Sequence, residues 1–253
     1  PWLASGQKMI VGDITDLDCV RQALEGCQFV FNFAALADIG YCIDNPINTA
    51  SVNVLGAVNV MQAALENDVE KHFFASSVYV SGNSGGYYRC SKIAGEQFAE
   101  EYFLQSGLRF AILRFGSLYG PRCGPDNGIM KILTEAISSG KIIYGGDPGA
   151  VREYISVHDA ANACVALLDD DCNNSTFIIA GSQRTKVSDL LEMLREMLSI
   201  ENDIEYLKRD GSVGHYIRTP HHKRLSLPQK INFDRYVDFD TGLSELIDNI
   251  RTE

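Results

Sequence analysis

Tyr88-Arg89-Cys90-Ser91-Lys92 places a phenol and an ammonium four residues apart. On a helix, positions i and i+4 share a face, so the two side chains can work on one ligand. An ammonium beside a phenol favours the phenolate and draws its pKa down from about 10 toward neutrality. Tyrosine then becomes a usable proton-transfer group. The neighbouring Tyr87 has Ser91 at i+4, so only Tyr88 pairs with the lysine. The spacing alone also occurs by chance on surface helices, so its meaning depends on what flanks it.

The pair must be held by its surroundings, and the first half of the chain alternates short apolar runs with helical stretches. That pattern predicts strand–helix units around a parallel sheet. Strands are expected at Met9–Val11, Phe29–Ala34, His72–Ser76 and Arg109–Arg114. Helices are expected at Asp16–Leu24 with Asp16 as N-cap, at Ile47–Asn67 with a broad apolar face, and at Tyr88–Ser106. From Gly120 the character changes, beginning with the breaker-rich Gly120-Pro121-Arg122-Cys123-Gly124-Pro125. There, helices are expected at Ile129–Ser139, His158–Leu168, Val187–Leu198 and Asp240–Ile250, and strands at Ile142–Tyr144, Val151–Val157 and Thr176–Ala180. A polar, irregular stretch is expected down to Asn232.

With 253 residues the chain can bury a sizeable core. Its net charge of −11 offers no broad basic field and argues against a nucleic-acid or anionic-membrane partner. The longest basic cluster, His221-His222-Lys223-Arg224, is short. No apolar run reaches the ~20 residues that span a bilayer, and Pro1 opens no signal-peptide pattern. The seven cysteines are odd in number and scattered, with no C-x-x-C pair, so neither a zinc site nor a disulfide framework is indicated. A reducing, cytoplasmic location is the expectation.

Five motifs in order give the chain a resemblance to the extended short-chain dehydrogenase/reductases, in the NAD-dependent epimerase/dehydratase branch that acts on nucleotide sugars. They are Gly12-Asp13-Ile14-Thr15-Asp16, Asn32-Phe33-Ala34-Ala35, Asn53 within Asn53-Val54-Leu55-Gly56-Ala57-Val58-Asn59, Ala75-Ser76-Ser77-Val78-Tyr79-Val80, and Tyr88 with Lys92. The resemblance runs from Val11 to about Leu168 and implies a Rossmann-like, doubly wound α/β fold. Residues 1–119 with 151–181 would form the dinucleotide domain, and 120–150 with 182–253 a smaller α/β substrate lobe.

The resemblance also implies roles for single residues. Asp13 would accept from the adenine amino group with Ile14 beside the ring, and Phe33, Ala34 and Ala35 would let the ribose and pyrophosphate approach the backbone. Asn53 would hold the active-site backbone and strands in register, and Ser76 and Phe115 would lie near the nicotinamide. Ser77, whose hydroxyl can donate and accept, would bond the reacting sugar oxygen. Tyr88 would be the general base or acid, and Lys92 would bond the nicotinamide ribose and lower the Tyr88 pKa. Ser117 stands where relatives carry an asparagine that meets the sugar diphosphate. Arg122 and Arg152 would face the substrate, Arg152 gripping phosphate through its guanidinium fork. The cofactor implied is NAD, with NADP left open; no metal is implied. The partners implied are a nucleotide sugar and a second copy of the chain, docked through the helices containing Asn53 and Tyr88.

The glycine-rich dinucleotide loop of that family is not in the sequence. The chain is expected to begin roughly 45 to 60 residues inside the family pattern. Alone, it is then expected to bind dinucleotide poorly, with Phe29–Ala34 an exposed sheet edge. The leading expectation is a nucleotide-sugar 4-epimerase. A 4,6-dehydratase usually carries an Asp-Glu pair after the Ser/Thr, where Val78-Tyr79 stand. A carbonyl reductase needs only the same Ser, Tyr and Lys. A silent dinucleotide-binding regulator would have kept the fold alone.

Overall fold

The computed structural model of the protein describes residues 6–168, 172–207, 229–230 and 236–252. They fall into two compact units, Pro1–Ser76 with Gly86–Ile112, and Ser77–Gly85 with Leu113–Glu253.

In the first unit, helix α1 (Leu17–Ala23) opens on Asp16, whose carboxylate accepts from the Asp18 and Cys19 amides. Strand β1 (Phe29–Asn32) pairs in parallel with β2 (Lys71–Ser77), Val30 opposite His72 and Asn32 opposite Phe74. The strand order is β1-β2-β3, with β3 spanning Phe110–Phe115. Between β1 and β2 run α2 (Ile39–Asp44), α3 (Pro46–Ala50), a π-helical turn (Ser51–Leu55) and α4 (Gly56–Glu66). Helix α5 (Gly86–Ser106) follows β2. Val20, Leu24, Val60, Met61, Phe74, Phe110 and Ile112 form the core on one sheet face. On the other face, Phe73 meets the alternate residues Phe29 edge-on and Phe31 in a stack.

In the second unit the end of β3 neighbours β8 (Ser175–Ile179), which pairs in parallel with β11 (Gln229–Lys230). Strand β4 (Ser117–Tyr119) pairs with β7 (Tyr154–Ser156), β6 (Val151–Arg152) runs antiparallel to β9 (Thr185–Lys186), and β5 (Ile143–Tyr144) pairs with β10 (Glu205–Tyr206). Helices α6 (Gly128–Ser139), α7 (Val157–Ala166), α8 (Val187–Met197) and α9 (Phe239–Thr252) complete it. The i, i+3, i+4, i+7 stripe of Val187, Leu190, Leu191 and Leu194 packs with Leu133, Leu243 and Leu246.

Four expectations are corrected. Met9–Val11 is not a strand: the three residues are exposed and no ladder partner pairs with them. Strand β1 stops at Asn32 and is half-buried, with Phe33 and Ala34 exposed beyond it. The helix expected over Ile47–Asn67 is interrupted by the π turn, a feature that hydrophobic periodicity does not encode. Val151–Val157 is two strands that serve different sheets, broken at the buried Glu153. The basic run His221–Arg224 and most of the stretch expected to be irregular lie outside the described residues.

Candidate active site

Helix α5 carries Tyr88 on its exposed first turn and Lys92 one turn deeper. Lys92 is only 4 % exposed. Its Nζ donates to the Ala75 carbonyl at 2.8 Å and stands 5.2 Å from the centre of the Phe74 ring and 5.7 Å from that of Tyr88. Among the described residues it has no carboxylate partner, and burial pushes its pKa down to about 8. At neutral pH it is still largely an ammonium, and with one N–H on Ala75 two donors remain. The phenol and the ammonium share a face, as their spacing requires.

The π turn places Asn53 behind this helix. Its Oδ1 accepts from the Leu36 amide at 2.7 Å, and its Nδ2 donates to the Leu36 carbonyl at 2.9 Å and to Ser91 Oγ at 3.0 Å. Ser91 in turn donates to the Tyr88 carbonyl at 2.8 Å. Asn53 is thus spent on the backbone after Ala35 and on the turn that carries Tyr88. Its contribution is to hold these parts in place. Ser76 is likewise internal, its Oγ donating to Glu96 Oε1 at 2.5 Å.

Asp13 and Ile14 sit in a turn on the same unit. The Thr15 amide and hydroxyl both donate to Asp13 Oδ1, at 2.8 and 2.7 Å. These two bonds hold the exposed carboxylate below its ordinary pKa. Its second oxygen has no partner among the described residues and could accept from an amine. Asn59 pins the turn, donating to the Ile14 and Thr15 carbonyls at 3.1 and 3.0 Å. Gly56 lets Ile14 seat on α4, since a Cβ there would lie 2.7 Å from the isoleucine. Phe33 stacks on Phe31 at 5.9 Å and is 55 % exposed, beside exposed Ala34 and half-buried Ala35. An open carboxylate, an accessible aromatic face and two small residues fit a dinucleotide.

The remaining candidates lie in the second unit. Ser77 is buried, and its Oγ accepts from the Tyr79 amide at 3.4 Å. Val78, 1 % exposed, packs with Ile178 and Ala180. Phe115 ends β3, half-buried. Ser117 donates its amide to the Glu153 carbonyl at 3.3 Å. Arg152 is half-buried, and its charge partly offsets the rise that burial gives the Tyr144 phenol. Arg122 is exposed in the loop after β4, with φ 63°. Glu153, beside Arg152, is 3 % exposed and meets Arg184 at 3.1 Å and Lys230 at 3.8 Å. Among the described residues no group of His, Cys, Asp and Glu side chains could hold a metal, and no helix is long and apolar enough to cross a membrane.

Asn59, Glu96 and Glu153 are the residues that the sequence reading missed. Asn59 is a polar group inside an apolar stretch, which is a signal for a buried partner, whereas Glu96 beside Gln97 and Glu153 beside Arg152 carry no such mark. The partner's identity is a tertiary fact.

Residues 2–180 match the NAD dependent epimerase/dehydratase family. The chain belongs to that family. It is 26% identical over 226 residues to a putative UDP-glucose 4-epimerase of Methanocaldococcus jannaschii, covering 81% of this chain and 73% of the relative. It is 27% identical over 281 residues to UDP-glucuronate 4-epimerase 4 of Arabidopsis thaliana, covering 96% of this chain and 63% of the plant protein. The fold matches a Thermotoga maritima UDP-glucose 4-epimerase crystallised with UDP-glucose, with TM-score 0.79, 23% identity and coverage of 95% of this chain and 83% of that one. It also matches a dTDP-glucose 4,6-dehydratase of Streptomyces venezuelae crystallised with NAD, with TM-score 0.80, 23% identity and coverage of 95% and 78%. At these identities the structural likeness establishes the Rossmann-type α/β fold, which is the fold class expected from the motifs.

Proposed function

We propose that the chain belongs to a nucleotide-sugar 4-epimerase in which Tyr88, Lys92 and Ser77 carry proton transfer at one ring hydroxyl. The observation behind this reading is the lysine. A buried ammonium with no counter-carboxylate among the described residues, one turn from a half-buried phenol, is an expensive arrangement of the kind found at functional sites. NAD, when bound, would take up the hydride from the sugar carbon and return it. Asp13, Ile14, Phe33, Ala34 and Ala35 would hold its adenosine side, with Phe115 and the two remaining Lys92 donors toward the nicotinamide ribose. Phenolate Tyr88 would take the hydroxyl proton as the sugar becomes a ketone, and give it back on re-reduction. Ser77 would bond the same oxygen, and Ser117, Arg122 and Arg152 would face the sugar diphosphate. Residues 1–119 with 151–181 would serve the dinucleotide, and 120–150 with 182–253 the sugar.

Val78 supports an epimerase over a dehydratase, because a sealed aliphatic side chain has no proton to give to a leaving hydroxyl. Exposed Ile47, Leu55, Phe98 and Leu104 on the helices around Asn53 and Tyr88 support a homodimer through that surface. Light scattering at the monomer mass would count against it. For activity, the natural protein would be assayed with NAD on UDP-, GDP- and dTDP-sugars. Epimerised product without net NADH is the expected outcome, and Tyr88→Phe should lower turnover at least ~1,000-fold with the fold intact. Stoichiometric use of reduced cofactor would instead identify a reductase. Undiminished turnover by Tyr88→Phe would remove Tyr88 as the base.

A further inference from the structure

We propose that Glu96 is a positioning residue for the Tyr88–Lys92 pair, acting through Ser76; the proposal rests on the reading of that pair given above. Lys92, Gly95 and Glu96 stand at i, i+3 and i+4 on α5 and so line one face. That face holds three consecutive residues of β2. Gly95 admits the Phe74 ring, since a Cβ at residue 95 would lie 2.2 Å from its Cζ. Lys92 donates to the Ala75 carbonyl at 2.8 Å, and Ser76 donates to Glu96 at 2.5 Å. Phe74 and Ser76 point the same way along the strand, and the carbonyl between them is the seat of the ammonium.

The Ser76–Glu96 bond is short, which marks a hydroxyl-to-carboxylate interaction. Ser76 is 3 % and Glu96 2 % exposed, so the bond is shielded from bulk water. A carboxylate so deep in the protein is costly unless bonded, and this bond fixes the peptide immediately after Ala75. Without it the Ala75 carbonyl is free to turn away from Lys92. The ammonium would then lose its neutral anchor while keeping its desolvation cost, and its place beside the Tyr88 ring would no longer be fixed. The chain continues from Ser76 directly into Ser77, so the same bond sets where the serine backbone starts.

The test compares Ser76→Ala, Glu96→Ala, Glu96→Gln and the Ser76→Ala/Glu96→Ala double variant in the natural protein. A misplaced proton-transfer group should appear in kcat rather than in substrate affinity. Expected for either alanine variant is a kcat about 10- to 30-fold lower, with KM for the nucleotide sugar within about twofold. The double variant should be no worse than either single one, because both remove the same bond. Glu96→Gln keeps an acceptor oxygen and should restore most of the rate. Wild-type kcat in the alanine variants, KM rising in step, or additive losses would each overturn the proposal. If the wild-type protein turns over no nucleotide sugar, the functional reading fails separately. Hydrogen exchange then decides the positioning role: faster exchange at residues 74–78 in Glu96→Ala, with 98–106 unchanged and Glu96→Gln close to wild type, supports it, and unchanged exchange at 74–78 in Glu96→Ala sinks it.

Discussion

Lys92 and Glu153 are buried to nearly the same degree, 4 and 3 % exposed, yet their surroundings differ in kind. Lys92, in the first unit, rests on a neutral carbonyl and two aromatic rings. Glu153, in the second, is flanked by the guanidinium of Arg184 and the ammonium of Lys230. A buried charge with opposite charges around it is a brace that favours one arrangement of strands. A buried charge left with neutral neighbours instead has a pKa moved toward the working range. Under the proposed function, the contrast separates a residue placed for chemistry from one placed for architecture.

The sharpest way to break this comparison is to remove the brace. Glu153→Ala would strand Lys230 at the Gly181 carbonyl, where it already donates at 2.9 Å. Glu153 is buried but both cations reach solvent, so losing its charged hydrogen bonds should cost about 1.5–3 kcal/mol. A loss of that size should appear as a lower urea midpoint, with Glu153→Gln recovering part of it. A loss below about 1 kcal/mol would mean that the pairing contributes no more than a surface pair does.

Lys92 should behave in the opposite sense. Its folded pKa of about 8 lies below the ordinary 10.5. Between those values the unfolded chain binds more protons than the folded one, so stability rises with pH across that window. Below it, both states carry the proton and the cost of the buried ammonium is fully present. The rise should reach about 2–3 kcal/mol by a shift of this size and be missing in Lys92→Met. A wild-type curve that stays flat through this window would place the ammonium in a polar environment after all.

His72 supplies an acid-side control in the same unit. It is fully buried on β2, neither ring nitrogen has a partner among the described residues, and burial pushes its pKa down to about 4 from 6.5. The folded chain keeps this imidazole neutral while the unfolded chain protonates below 6.5, so stability falls as pH drops from 6.5 toward 4. The loss should amount to at most about 3 kcal/mol. It should be smaller in His72→Phe, as read by thermal unfolding at each pH.

Much of this could be read from the residues, and the limits have physical causes. Tyr88, Lys92 and the helix beneath them could be read from the residues, because the i, i+4 spacing within a long helical stretch is a local property. The turn at Asp13 was legible as a motif, but its clamp by Asn59 joins residues 44 and 45 positions apart. The π turn at Asn53 left no mark, since one extra residue in a helical turn alters no residue type. Ser76 was placed near a cofactor by its motif, whereas its hydroxyl is committed to Glu96, a pairing visible only once α5 lies on β2. The split of 151–157 around Glu153 was hidden because Val151, Tyr154, Ile155 and Val157 favour extended backbone along the whole run.

The two cations at Glu153 permit the finest test, because they are not equivalent. Arg184 approaches Oε1 at 3.1 Å, but its side chain is 70 % exposed. Lys230 stands farther off, at 3.8 Å, with a side chain only 32 % exposed and a carbonyl that also holds it. Distance alone would rank Arg184 first. Solvent screening reverses the order, since an exposed guanidinium exchanges its partner for water at little cost. Arg184→Ala should therefore cost less than about 1 kcal/mol in a urea melt. Lys230→Met, which leaves both the carboxylate and the Gly181 carbonyl without their half-buried donor, should cost more than Arg184→Ala. The reverse ranking would show that the shorter contact carries the brace and that burial is the wrong guide at this site.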